Sequence, residues 1–145
     1  WKTQKRIRML LDTWFTDSLF GMPGDEDGGG MSAFVVFSMM GFFQVTPGVP
    51  VYTIGSPVFD EVSVTLPGGK AFVVRALNNS AENTYIQSAS LNGVAREKPW
   101  FTHAELMGGG TLELAMGPVP NKTWGSREAD APPSSMNDAP ARATR

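Results

Sequence analysis

Ile7, Leu10, Leu11, Trp14 and Phe15 recur at the i, i+3, i+4, i+7, i+8 spacing, while Lys2, Lys5, Arg8, Asp12 and Thr16 fall on the other face. That period predicts an amphipathic helix of roughly four turns with Trp14 and Phe15 in the core. Gly21, Pro23 and Gly24 end it. From Met31 to Phe43 the chain is apolar nearly all round, with Ala33, Phe34, Val35, Val36, Phe37, Met39, Met40, Phe42 and Phe43. A second helix, buried on every side, is predicted there. The rest of the chain offers only one other substantial helix to surround it, so its neighbours are expected elsewhere.

After Pro47 the period drops to two. Val62, Val64 and Leu66 alternate with polar residues, Pro67-Gly68-Gly69-Lys70 supplies a turn, and Ala71 to Ala76 returns as a second strand. Tyr85 to Leu91 and Thr111 to Met116 read as two more strands, with Asn92-Gly93 as a hairpin signal. A short helix is predicted over Thr102 to Met107, N-capped by Thr102 and stopped by Gly108 to Gly110. The fold class is therefore α+β, with two helices followed by a small antiparallel β region. Ser126 to Arg145 holds almost nothing to bury and predicts a disordered tail. The expected divisions are 1–47 (helical), 48–125 (β-rich) and 126–145 (tail).

Composition narrows the function. The chain has 145 residues, 41% of them hydrophobic, and a net charge of −2 without a basic stripe. That supports a packed core and argues against a nucleic-acid partner. It has no cysteine, which excludes disulfides and Cys-ligated zinc. The longest apolar stretch, Ala33 to Val45, is interrupted by Ser38, Gly41 and Gln44 and is too short to span a membrane. The chain opens directly into a helix at Trp1, which predicts a piece of something longer.

One segment carries candidate chemistry: Gly24-Asp25-Glu26-Asp27-Gly28-Gly29-Gly30. Three adjacent carboxylates repel one another, and a following helix N-terminus compensates with partial positive charge and free N–H groups. Such a setting favours an ionised carboxylate, as a general base or metal ligand requires. The glycines let backbone and ligand approach closely. The alternative is structural, with Asp27 as an N-cap and Asp25 and Glu26 on a solvated turn. An EF-hand is excluded, because Val36 would stand where the bidentate Glu belongs, and the Gly-Lys-Ser/Thr ending of a phosphate loop is missing. His103 is the only histidine and reads as structural, while Trp100 and Trp124 read as core. Asn78-Asn79-Ser80 and Asn121-Lys122-Thr123 match the glycosylation pattern, which is common by chance.

Trp1-Lys2-Thr3-Gln4, the run Gly24 to Ala33 and Met40-Gly41-Phe42-Phe43 resemble the end of the catalytic domain of glycoside hydrolase family 92. Tyr52 to Pro57, Asn78 to Ser80, Asn83 to Gln87, Leu91 to Gly93, Gly109 to Leu112 and Met116 to Pro118 follow in the family's order. The resemblance covers about residues 1–125. It implies an exo-acting, inverting, calcium-dependent α-mannosidase built from an N-terminal β-sandwich and an (α/α)6 barrel. The two helices would close that barrel, and the β region would be its C-terminal appendage. The substrate would be a mannose-containing oligosaccharide, as in N-glycans or mannans, and the location secreted or periplasmic.

The resemblance also assigns residues. Asp27 is implied as the general base, with Asp25 as its close alternative, and Asp27 is a candidate calcium ligand, directly or through water. Trp1, Gly24, Glu26 and Gly28 are implied on the sugar side, although Trp1 can equally cap the first helix or pack in the barrel wall. Inversion needs two carboxyls roughly 6.5–9.5 Å apart, so two residues of one loop are not expected to form that pair. The general acid is implied to be a glutamate outside this chain, which alone should be inactive. The competing hypothesis is a non-catalytic carbohydrate-binding β module.

Overall fold

The computed structural model describes residues 1–135 and 137–138. Helix α1 spans Lys2–Thr13 and helix α2 spans Gly30–Met40. Eight strands follow: β1 Phe42–Phe43, β2 Val51–Ile54, β3 Glu61–Thr65, β4 Ala71–Leu77, β5 Tyr85–Leu91, β6 Val94–Ala95, β7 Trp100–Thr102 and β8 Gly110–Gly117. Helix α3, His103–Gly108, lies between β7 and β8.

The strands form two sheets, β1-β2-β7 and β3-β4-β8-β5-β6. The expected antiparallel region is in fact mixed, because β4 and β8 pair in parallel from Phe72↔Gly110 to Leu77↔Ala115. Strand β8 enters between β4 and β5 after a long excursion through β5, β6, β7 and α3. A parallel neighbour requires such a crossover. The Asn92-Gly93 turn joins β5 to β6 with both residues at positive φ, 52° and 78°. That is the left-handed pair a tight hairpin demands.

Alternation builds the core. Phe72, Val74 and Ala76 of β4 and Leu112, Leu114 and Met116 of β8 are buried at every second position. On β5 the buried residues are Ile86 and Ala89, three apart, because a bulge between Ile86 and Ser88 inserts one residue and flips the face. Phe42 joins the helical part to both sheets. Its ring lies 5.6 Å from Phe37, 5.5 Å from Tyr52, 5.5 Å from Phe101 and 6.4 Å from Phe72. Each such edge-on aromatic pair contributes about 0.5–1.5 kcal/mol beyond its area burial.

Three expectations are corrected. Helix α1 stops at Thr13, so Trp14 is exposed and only Phe15 packs inward, 5.8 Å from Phe34. Helix α2 ends at Met40 because Gly41 turns left-handed at φ 93°, and Phe42-Phe43 become strand β1. Its side chains are mostly half-buried and Val36 is exposed, rather than covered on every side. The segment expected to be structureless from Ser126 forms a 3-10 turn at Glu128–Asp130. The Trp100 indole donates to Asp130 O at 3.0 Å, and Arg127 pairs with the Asp130 carboxylate at 2.7 Å. Positions 136 and 139–145 of that expectation lie outside the described residues.

Candidate active site

Helix α1 hands the chain to the acidic segment through a compact turn. Thr16 N–H donates to Gly21 O at 3.1 Å and Gly21 N–H donates to Ser18 O at 3.0 Å. A Cβ on Gly21 would stand 1.7 Å from Thr16 O, so only glycine closes this turn. Leu19 and Phe20 at its tip are 99% and 93% exposed.

The acidic segment then takes three successive left-handed residues, Asp27 at φ 59°, Gly28 at 65° and Gly29 at 99°. Aspartate tolerates that region better than most side chains. Gly29, not Asp27, is the N-cap of α2. The capping side chain is Glu26: the Gly29 N–H donates to Oε2, and the Ser32 N–H donates to Oε1 at 2.7 Å. The backbone closes the same turn, with Met31 N–H donating to Glu26 O at 3.2 Å. Hydrogen bonds from the Ser32 hydroxyl and N–H hold the Glu26 carboxyl below the ordinary value of 4.5; slight desolvation opposes them and the Gly29 N–H adds to them. The helix N-terminus is thus satisfied by one carboxylate of the three.

Asp25 and Asp27 are left exposed at the lip of the turn. Around them, Gly24, Gly28 and Gly29 present bare backbone: a Cβ at any of the three would meet nothing within 4 Å. Two free carboxylates on an open, glycine-lined turn can take a proton from water or offer oxygen to a hard cation. No group of three His, Asp or Glu side chains placed to hold a metal occurs among the described residues. Calcium takes six to eight oxygens, so the acidic turn by itself does not close a calcium site.

The other residues expected on the sugar side do not all meet here. Trp1 begins α1, and the acidic turn follows its far end. Thr3 and Ile7 line the same small cavity as Ser38 and Phe34, and Phe15 meets Phe34, so the two helices run antiparallel. Twelve residues of helix, about 18 Å, separate Trp1 from the end that leads to the turn. The Trp1 ring instead lies 5.7 Å from Lys2 Nζ and 5.9 Å from Lys122 Nζ. His103 is exposed on α3, its Nδ1 3.0 Å from the Tyr52 hydroxyl.

Two polar residues of α1 matter beyond the expected site. Arg8, expected on the polar face of α1, is buried, and so is Gln4. Gln4 Oε1 accepts the Ile86 N–H at 3.0 Å, at the start of the β5 bulge. Arg8 donates to Pro57 O and, at 3.1 Å, to Ser80 O. Burial pulls the guanidinium pKa down, and Asp12 one turn on opposes the shift. The signal was present: positions 1, 4, 8 and 11 form one helical stripe, and Trp1 and Leu11 bracket the two polar residues on it.

Comparison with known proteins identifies the family. The family model described as the glycosyl hydrolase family 92 catalytic domain matches residues 1–118. An uncharacterized secreted glycosidase of Arthroderma benhamiae is 42% identical over 133 residues, 90% of this chain and 17% of that protein. Among solved structures, an inverting family 92 mannosidase from Bacteroides thetaiotaomicron is 48% identical with a TM-score of 0.85, over 91% of this chain and 18% of that one. A second α-mannosidase from the same organism, solved with mannoimidazole, is 32% identical with a TM-score of 0.86, over 92% and 18%. The chain spans less than a fifth of the length of these relatives. Since the family model matches residues 1–118, a span that contains both long helices, the acidic turn and all eight described strands, the chain belongs to glycoside hydrolase family 92.

Proposed function

We propose that this chain forms the end of the catalytic domain of an exo-acting, inverting α-mannosidase, with Asp27 as general base and Asp25 orienting the attacking water or sharing that role. The observation that carries this reading is the sorting of the acidic triplet: Glu26 is bound by the N–H groups of Gly29 and Ser32, while Asp25 and Asp27 stand exposed on bare glycine backbone. The Asp27 carboxylate takes a proton from water as the water oxygen attacks the anomeric carbon. The bond to the glycosidic oxygen breaks on the opposite face, and an acid from the rest of the enzyme protonates the departing oxygen. One displacement inverts the anomeric centre.

The rest of the barrel, an N-terminal β-sandwich and a mannose-containing oligosaccharide complete the proposed assembly. Calcium dependence belongs to the same reading, with Asp27 as a candidate ligand, directly or through water, and the other ligands from the rest of the enzyme. A secreted or periplasmic location is supported by the description of the Arthroderma relative as secreted. No helix among the described residues is long and apolar enough to cross a membrane.

The test is kinetic. Asp27→Asn and Asp25→Asn are made separately in the complete enzyme and assayed on an aryl α-mannoside, with the product anomer followed by NMR. Loss of the base lowers kcat by about 10²–10⁴-fold. Wild-type turnover in both variants refutes the assignment, and a retained anomer refutes inversion.

A further inference from the structure

Helix α1 carries two buried polar side chains one turn apart, Gln4 and Arg8. An apolar residue would seal that stripe at less cost, because a guanidinium taken from water loses its hydration. What the guanidinium adds is a rigid fork of N–H donors that holds two acceptors at a fixed separation. Its acceptors are the carbonyls of Pro57 and Ser80, from two loops of the β region.

The segment 55–58 is also held by α2. Gly55 N–H donates to Gly41 O at 2.8 Å and Val58 N–H donates to Met39 O at 2.9 Å. Asn79 Nδ2 donates to Val58 O at 3.0 Å, from beside the Ser80 that Arg8 grips. Gly41 packs so closely that a Cβ there would lie 2.8 Å from Pro57 Cβ. Both helices are thus fastened to the same four residues, α1 by a side chain and α2 by its backbone. The acidic turn closes the other end of this helical hairpin, where Phe15 meets Phe34.

We infer that Arg8 is a positioning residue for the acidic turn, acting through the 55–58 junction rather than by contact with Asp25 or Asp27. The junction fixes how α1 and α2 sit against each other, and that placement aims the turn between them. This rests on the reading of Asp27 as the base. It makes the β region a working part of the catalytic geometry rather than an appendage.

The test uses Arg8→Met, Arg8→Lys, Asp27→Asn and the Arg8→Met/Asp27→Asn double variant of the complete enzyme, with an activated aryl α-mannoside. Arg8→Met is expected to melt cooperatively, with KM near wild type and kcat lower by about a hundredfold, as for a misaimed catalytic group. Arg8→Lys, which keeps the charge and one donor arm, is expected to fall between. Adding Arg8→Met to Asp27→Asn is expected to cost little further activity, since the group being aimed is already gone. Multiplicative losses in the double variant, or wild-type kcat in a folded Arg8→Met, overturn the inference. Should Arg8→Met fail to fold, Asn79→Ala weakens the same junction and carries the same outcomes. Wild-type kcat in Asp27→Asn overturns the base assignment instead, whatever Arg8 does.

Discussion

Asp25, Glu26 and Asp27 stand side by side, yet only one of them meets the helix. Glu26 reaches forward to the N–H groups of Gly29 and Ser32, so it closes the turn and leaves both aspartates exposed. Glu26→Ala is therefore expected to lower kcat of the complete enzyme more than it changes KM, and Glu26→Gln, which keeps one acceptor, to lower it less. Equal kcat in all three proteins would show that the cap does not hold Asp27. The pH dependence follows in sign. The folded pKa of Glu26 lies below its ordinary 4.5, so its contribution is present above that value and is lost as pH falls through the lower folded one. Thermal melts taken from about pH 6 to about pH 3 should draw together for wild type and Glu26→Gln toward the acid end; a constant gap would exclude the ionised cap. From the sequence, the triplet was legible as the chemical segment, but its internal division was not. Which carboxylate meets the helix depends on the left-handed run Asp27-Gly28-Gly29, and φ is not written in residue types. Arg8 was misplaced for a related reason: charge assigned it to water, whereas its stripe assigns it to the interior.

The longer strands were legible as elements: β3, β4, β5 and β8 lie within a residue or so of the expected bounds, although the bulge that breaks the alternation of β5 was not foreseen. The short strands β1, β2 and β7 were not, because two to four residues carry no measurable period. The parallel β4–β8 pair was equally hidden, since periodicity reports faces and says nothing of which distant strand lies alongside. The end of α2 was misread because Phe42 and Phe43 continue the apolar run, and only the backbone of Gly41 stops the helix. That makes Gly41→Ala informative. It forces a left-handed alanine against Pro57, and should destabilise by more than about 1 kcal/mol in urea unfolding; an unchanged midpoint would mean the junction yields freely. Helix α3 offers a milder case, legible from Thr102 onward. Thr102 Oγ1 accepts the Glu105 N–H at 3.1 Å, and Glu105 Oε2 accepts the Thr102 N–H at 2.7 Å. Burial pushes the Glu105 carboxyl up, but these bonds with Thr102 and the Arg96 guanidinium outweigh it and leave it lowered. Thr102→Ala should cost about 1 kcal/mol, with α3 losing amide-exchange protection ahead of β8. Uniform protection would place the cap outside the stability of α3.

Across the whole molecule, a buried aromatic core around Phe42 and Phe101 coexists with exposed apolar side chains in both halves. Val45, Phe59, Leu77, Val94, Met107 and Val119 are exposed singly in the β region, and the helical hairpin leaves Met9, Trp14, Leu19, Phe20 and Val36 exposed. Leu19 and Phe20, adjacent at the tip of one turn and 99% and 93% exposed, are the kind of apolar surface that marks an interface. The chain spans 18% of the mannosidases it matches, and the same hairpin carries the proposed base. If the hairpin face packs against the rest of a catalytic domain, as proposed, two properties follow for the 145-residue chain expressed alone. It should show no mannosidase turnover, because the proposed base would lack the acid and sugar pocket assigned to the rest of the enzyme. It should also self-associate, eluting above monomer mass and binding a hydrophobic dye. Leu19→Ser, Phe20→Ser and Val36→Ser together should reduce that association with little change in the melting temperature, since none of the three contributes to the buried core. A concentrated wild-type chain that elutes as a clean monomer would mean the hairpin face needs no cover. If that monomer also bound mannose when calcium was added, the balance would shift to a self-standing carbohydrate-binding module.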